Sequence, residues 1–219
     1  MASEARIITN RGSKKVIGKF PSLKMNTTLM WESQLERDYI YFLEIDPEVA
    51  AYYGQPFTIA YDSLDKRKKY TPDFLVERNN FRQIVEVKPE SKINDFQNSH
   101  RFRQAASFCL AHNLEFGIFT EKTIRVQPRL NNIKLLYKYA RVAVPWHIYN
   151  DCLNYFNLVK SSTILEAETA LRVKEITYSY LLKLLWSGFL LTDMMRSITS
   201  QSLVQLSPLA IAYQTGVRT

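Results

Sequence analysis

Two hydrophobic periods divide this chain. In "NTTLMWESQLERDYIYFLEID" the apolar positions Tyr39, Ile40 and Leu43 recur at helical spacing. That predicts a helix with Asn26, Thr27 or Thr28 as N-cap and Pro47 beyond its end. A turn at Gly54 and a strand from Phe57 to Tyr61 follow, then a hydrophilic loop, "DSLDKRKK". Phe74-Leu75-Val76 and Ile84-Val85 with Val87 read as two short strands, with "ERNNF" supplying the turn between them. "SHRFRQAASFCLAHN" has the pattern of an amphipathic helix and "FGIFT" that of another strand. The order predicts an α/β domain whose mixed sheet is flanked by helices.

Beyond Thr120 the pattern changes. "TEKTIRVQPRLNN" reads as a linker, and "TILEAETALRV" and "TYSYLLKLLWSGFLLTD" as helices, the second ending at Gly188. "FLLTDMMRSITSQSLVQL" can then make a two-strand ribbon, which completes the outline of a mostly helical, winged-helix-like domain. The expected organisation is a basic arm over residues 1–26, the α/β domain over 27–125 and the winged-helix-like domain over 126–219.

With 46% hydrophobic residues the chain can bury substantial cores, which excludes a disordered tail. Lys and Arg number 29 against 21 Asp and Glu, a formal charge of +8 that points to a polyanionic partner, nucleic acid before membrane. Cys109 and Cys152 fall in apolar helical contexts and read as core thiols in a reducing compartment. His100, His112 and His147 are scattered, so no Cys/His metal spacing exists. "YLLKLLWSGFLL" is too short to span a bilayer and carries Lys183, and the polar N-terminus lacks a signal core. The expectation is a cytoplasmic protein without a membrane segment.

Against this background the charges in the two central strands need a reason. Asp73 follows Pro72 at the start of one strand, and Glu86 and Lys88 share a face of the next. Singly, a strand Glu with Lys at i+2 is a solvated pair and Pro-Asp is turn chemistry. Together, with twelve residues between Asp73 and Glu86, they have the order and spacing of the PD…(D/E)xK nuclease motif. Phosphodiester hydrolysis calls for a hard divalent cation held by carboxylate and backbone oxygens, here Asp73, Glu86 and the Val87 carbonyl. The expected cation is Mg²⁺, one ion or two, with Mn²⁺ able to substitute. Lys88 can orient the attacking water or balance charge in the transition state. A further acid should come from the preceding helix. Glu36, at i−4 from Ile40 and i−7 from Leu43, is the better ligand candidate, and Glu32 the more structural one. "DKRKK" reads either as a solvated loop or as a DNA contact.

The run from Trp31 to about Thr120 resembles TnsA, the endonuclease subunit of heteromeric cut-and-paste transposases. The features that carry the resemblance are "WESQLE", "DPEV", "QP" before a strand, "PDFLV", "EVKP" and a helix leading to "FGIFTEK". It implies a restriction-endonuclease-like fold and a site made of Glu36, Asp73, Glu86 and Lys88. Members of that family can carry Gln where Glu86 stands, so the acid here follows the broader superfamily. The resemblance also implies cleavage of double-stranded DNA at the 5′ ends of a transposon. A TnsB-type transposase would process the 3′ ends, and a TnsC-type AAA+ ATPase would bind the C-terminal region. Two other readings stand beside it: a restriction or repair nuclease acting alone, and a non-catalytic DNA-binding adaptor with a relic site. The helix around Lys183 has few basic residues, which favours protein over DNA as the contact of the C-terminal domain. The tail "LSPLAIAYQTGVRT" either docks a partner or packs on its own domain.

Overall fold

In a computed structural model, which describes residues 16–63, 66–208 and 210, the chain divides into two compact units at Val126/Gln127. The N-terminal unit opens with a hairpin of β1 (Gly18–Ser22) and β2 (Thr27–Trp31). Residues 18–31 are therefore strand and turn where the sequence suggested an arm and the start of a helix. "TTLMW" alternates in burial, with Leu29 and Trp31 inward, so a period of two wins over the helical reading. Gly18 lies opposite Trp31, where a side chain would run into the indole ring. The arm read over residues 1–15 lies outside the described residues.

Helix α1 (Gln34–Ile45) begins at Ser33 rather than at Asn26, Thr27 or Thr28, with the Ser33 hydroxyl accepting the Glu36 N–H at 3.1 Å. β3 (Val49–Gly54) replaces the expected turn region, β4 (Ile59–Ser63) follows, and β5 (Lys66–Tyr70) is a strand where "DKRKK" suggested a loop. β6 (Phe74–Arg78) and β7 (Arg82–Val87) form the expected hairpin; α2 (Phe96–Ala111), β8 (Glu115–Phe119) and a short α3 (Glu121–Ile124) complete the unit.

The central sheet has the order β3-β6-β7-β8, antiparallel except for the parallel pair β7/β8, so it is mixed and flanked by helices. Cross-strand partners share a face. On one side Phe74 and Phe119 meet Tyr39 of α1, with ring centroids 5.7 and 4.8 Å apart. On the other, Leu75 and Ile84 pack with Cys109 and Phe108 of α2. β7 is thus covered on both faces, which explains its near-continuous apolar run. Among the described residues β4 and β5 pair only with each other, in a separate ribbon. Buried Glu44 accepts the hydroxyls of Ser22 and Tyr52 and the N–H groups of Leu23 and Lys24, fastening the first hairpin to α1 and β3.

The C-terminal unit is helical with a small sheet. α4 (Arg129–Tyr137) and α5 (Trp146–Val159) lead to β9 (Ser161–Thr163), α6 (Ile164–Leu171), α7 (Tyr178–Trp186), β10 (Leu190–Leu191) and β11 (Leu203–Leu206). The region read as a linker thus holds α3 and α4. Thr163 and Glu166 form a capping box at the start of α6. After α7, Gly188 takes φ +71°, the left-handed position where glycine is favoured, and the chain turns into β10. The sheet order is β10-β11-β9, antiparallel throughout. Leu181, Leu182, Leu184 and Leu185 of α7 are buried, and no residue of that helix is exposed. Among the described residues no helix is long and apolar enough to cross a membrane. The far end of the tail read as a docking or packing segment, residues 211–219, lies outside the described residues.

Candidate active site

Asp73 precedes β6, and the Phe74/Val85 register, carried one step outward, sets it opposite Glu86. Its Oδ2 accepts the Val87 N–H at 2.7 Å, and its carbonyl accepts the Gln55 N–H at 2.9 Å. Gln55 also donates from Nε2 to Glu32 Oε1 at 2.9 Å, so Glu32 braces the loop that holds Asp73.

Glu86 is only 2% exposed, deep for a carboxylate. Three groups surround it. Lys88 Nζ stands 2.8 Å from its Oε1, the Tyr70 hydroxyl donates to Oε2 at 2.6 Å, and the Arg101 guanidinium lies 3.5 Å from Oε1. Arg101 also covers the Tyr70 ring, 5.1 Å from its centroid. Tyr70 and Arg101 were not singled out from the sequence. The signal for Tyr70 was its place three residues before Asp73, at the end of a basic run that read as loop. For Arg101 no local pattern exists, because its role depends on how α2 lies against the sheet.

Glu36 belongs to the helix on the opposite face. Its Oε2 accepts the Glu32 N–H at 2.8 Å, yet its charge reaches Asp73. The buried acids of α1 are instead Glu44 and Asp38, the latter 3% exposed and paired with Arg125 Nε at 2.8 Å, a structural tie to the end of α3. Asp73, Glu86 and Lys88 thus come to one end of the sheet, and Glu36, on the helix covering the opposite face, reaches Asp73 through its charge.

The electrostatics follow from that crowding. Burial, then the charges of Glu86 and Glu36, raise the Asp73 carboxyl well above its ordinary value of 3.8; the Val87 N–H and Lys88 oppose the shift. The Tyr70 hydroxyl is likewise raised by burial and by Glu86. Cys109 and Cys152 are pushed up by burial to about 11 and about 12, as suits inert core thiols.

A divalent cation is implied by this chemistry. Among the described residues, no three His, Cys, Asp or Glu side chains stand at coordinating positions, and Glu86 is engaged by Lys88 and Tyr70. Two carboxylates of the kind a hard cation takes nevertheless stand opposite each other. Asp73 and Glu86 offer oxygens only, and their mutual repulsion in a desolvated corner is what a cation relieves.

The raised Asp73 makes a stability prediction with a definite sign. The folded state holds this proton more tightly than the unfolded chain. The contribution of Asp73 is therefore lost as pH rises from near 3.8 through the raised folded value. Asp73→Asn keeps an acceptor for the Val87 N–H and removes the charge. In metal-free buffer at pH 7 the variant should melt about 2–4 °C above wild type, the effect of about 1 kcal/mol in a chain of this size. The gap should shrink towards pH 4; thermal melts showing the same gap at both pH values would contradict the electrostatic account.

The profile of the family described as TnsA-like endonuclease N terminal matches residues 46–121, which include Asp73, Glu86 and Lys88 but not Glu36. No curated protein gives a significant sequence match.

Proposed function

On the premise that residues 46–121 are a TnsA-like endonuclease N-terminal domain, we propose that this chain is the DNA endonuclease subunit of a cut-and-paste transposase. Its reaction is hydrolysis of one phosphodiester at each 5′ end of the transposon, leaving 5′-phosphate and 3′-hydroxyl. The observation that carries the reading is Asp73, bonded through Oδ2 to the Val87 N–H beside Glu86 and Lys88, inside the matched segment.

Asp73, Glu86 and the Val87 carbonyl would hold Mg²⁺, or Mn²⁺ in its place, with Glu36 from α1 as the further acid. When bound, the cation supplies charge withdrawal from the phosphoryl group and acidification of water. Glu86 would have to turn Oε1 from Lys88 and Arg101 to the cation in that role, while Tyr70, bonded to Oε2, fixes the plane of the carboxylate. Lys88 is partly exposed beside Glu86, where its ammonium can hold the attacking water by hydrogen bond and offset negative charge on the transferring phosphoryl group.

The partners in this reading follow from the resemblance: transposon-end DNA, a TnsB-type transposase cutting and joining the 3′ ends, and a TnsC-type AAA+ ATPase. The sequence α5, β9, α6, α7, β10, β11 supports a winged helix for the C-terminal unit. Its helix in the reading position, α7, offers no exposed residue, and Lys183 donates to the Ala140 carbonyl at 2.6 Å. This supports a protein-contacting rather than DNA-reading unit.

The test is a supercoiled plasmid carrying the transposon ends, incubated with this protein, Mg²⁺ and the partner transposase, with breaks mapped on each strand. Breaks at the 5′ ends that need this protein and Mg²⁺ are the expected result. Cutting by this protein without the partner would assign an independent nuclease instead. The absence of both would leave the adaptor as the better reading.

A further inference from the structure

The β4–β5 ribbon has a composition its fold does not require. Lys66, Arg67, Lys68 and Lys69 are consecutive and all exposed. Among the described residues none of the four has an ion-pair partner, although Asp62 stands opposite Arg67 in the register. In a loop such a run relaxes into solvent. In a strand, cations at i and i+2 are held on one face about 7 Å apart, and their repulsion is relieved only by counter-charge. Alternation puts Lys66 and Lys68 on the face of Tyr70, and Arg67 and Lys69 on the other.

The ribbon is also fastened where the chemistry is. Ile59 and Tyr70, paired at its base, are buried with Ala105 of α2. His100 of α2 bonds the Asp62 carbonyl at 3.2 Å, and Tyr61 lies against the His100 ring. Tyr70, the last residue of the basic strand, donates to Glu86.

We infer that the β4–β5 ribbon is a duplex-DNA contact whose Lys66–Lys69 row follows the phosphate backbone away from the scissile position. The inference deepens the nuclease reading and rests on it for the place of cutting, but not for binding. From Tyr70 to Lys66 the strand rises about 13 Å, about four base-pair steps along duplex DNA. A two-stranded ribbon is of a size that a DNA groove admits. Contacts from this row to phosphates would hold the duplex without reading its sequence.

The experiment measures binding of a duplex of about 30 base pairs by anisotropy across a salt series, in metal-free buffer. Three full-length proteins are compared: wild type, a quadruple variant (Lys66→Gln, Arg67→Gln, Lys68→Gln, Lys69→Gln) and a charge-keeping variant (Lys66→Arg, Lys68→Arg, Lys69→Arg). The quadruple variant should bind about 10–100-fold more weakly near 0.1 M salt. Its log–log salt slope should be shallower by about 2–4, close to one unit per lost phosphate contact. The charge-keeping variant should match the wild-type slope. Equal slopes for wild type and the quadruple variant would overturn the inference, as would a charge-keeping variant that fails alongside it, since that marks a structural role. If the slope falls as expected while wild type never cuts with its partner, the ribbon assignment stands and the nuclease reading falls.

Discussion

Asp73→Ala protein, supplied with Mg²⁺ and the partner transposase, should cut the 5′ ends at least about a thousandfold more slowly than wild type, while the partner still processes the 3′ ends. A thousandfold loss is about 4 kcal/mol of transition-state stabilisation, a reasonable charge for removing a metal-holding carboxylate. The geometry argues that little of this loss comes from unfolding. Asp73 is a site of like-charge repulsion, so removing its charge relieves the folded state. Against that, alanine leaves the Val87 N–H without its acceptor, at a cost of about 1–3 kcal/mol. Asp73→Asn separates the two effects, because it keeps an acceptor and loses the charge. It should be as inactive as Asp73→Ala and melt no lower than wild type. Strand-specific mapping on excised plasmid decides the matter: if either variant released the element with both strands cut at wild-type rate, Asp73 would have no place in the chemistry.

The motif was legible because strand geometry fixes it locally. Asp73 and Glu86 face each other through a hairpin whose register follows from the ladder and its turn, and Lys88 follows Glu86 by parity alone. The order helix, strands, helix, strand was legible for the same reason. Period and charge misled elsewhere. "TTLMW" has enough apolar content to extend a helix, but pairing with Gly18–Ser22 made it a strand. "KRKKY" looked like solvent-exposed loop, since nothing in a charge run announces that Ile59–Ser63 will pair with it. Val49–Gly54 was hidden by Gly54, which read as a turn, although it supplies the sheet edge beside β6. Tyr70 and Arg101 escaped because they reach Glu86 from a separate ribbon and a separate helix. Such convergence is tertiary, and only packing decides it.

Lys88→Ala should also slow 5′ cleavage by about a thousandfold, the middle of the range for a group that handles a proton or its charge in the transition state. This loss has a different signature from that of Asp73. Lys88 is about a quarter exposed but its partner Glu86 is buried, so removing the ammonium leaves a buried carboxylate held by Tyr70 and Arg101 alone, and the melting temperature should fall by several degrees. Removing its ammonium also takes away the nearer of the two cations on Glu86 Oε1, leaving Arg101 at 3.5 Å. Mn²⁺ binding by calorimetry should therefore be retained or tightened in Lys88→Ala, whereas Asp73→Asn should weaken it. Lys88→Arg should not rescue cutting, because a planar guanidinium keeps the charge yet places its donors differently and holds its proton too firmly to relay it. If Lys88→Ala cut within about threefold of wild type, Lys88 would be only the counter-ion that keeps Glu86 buried. A variant that neither cut nor bound Mn²⁺ would place its role in assembling the carboxylates and not in the chemistry.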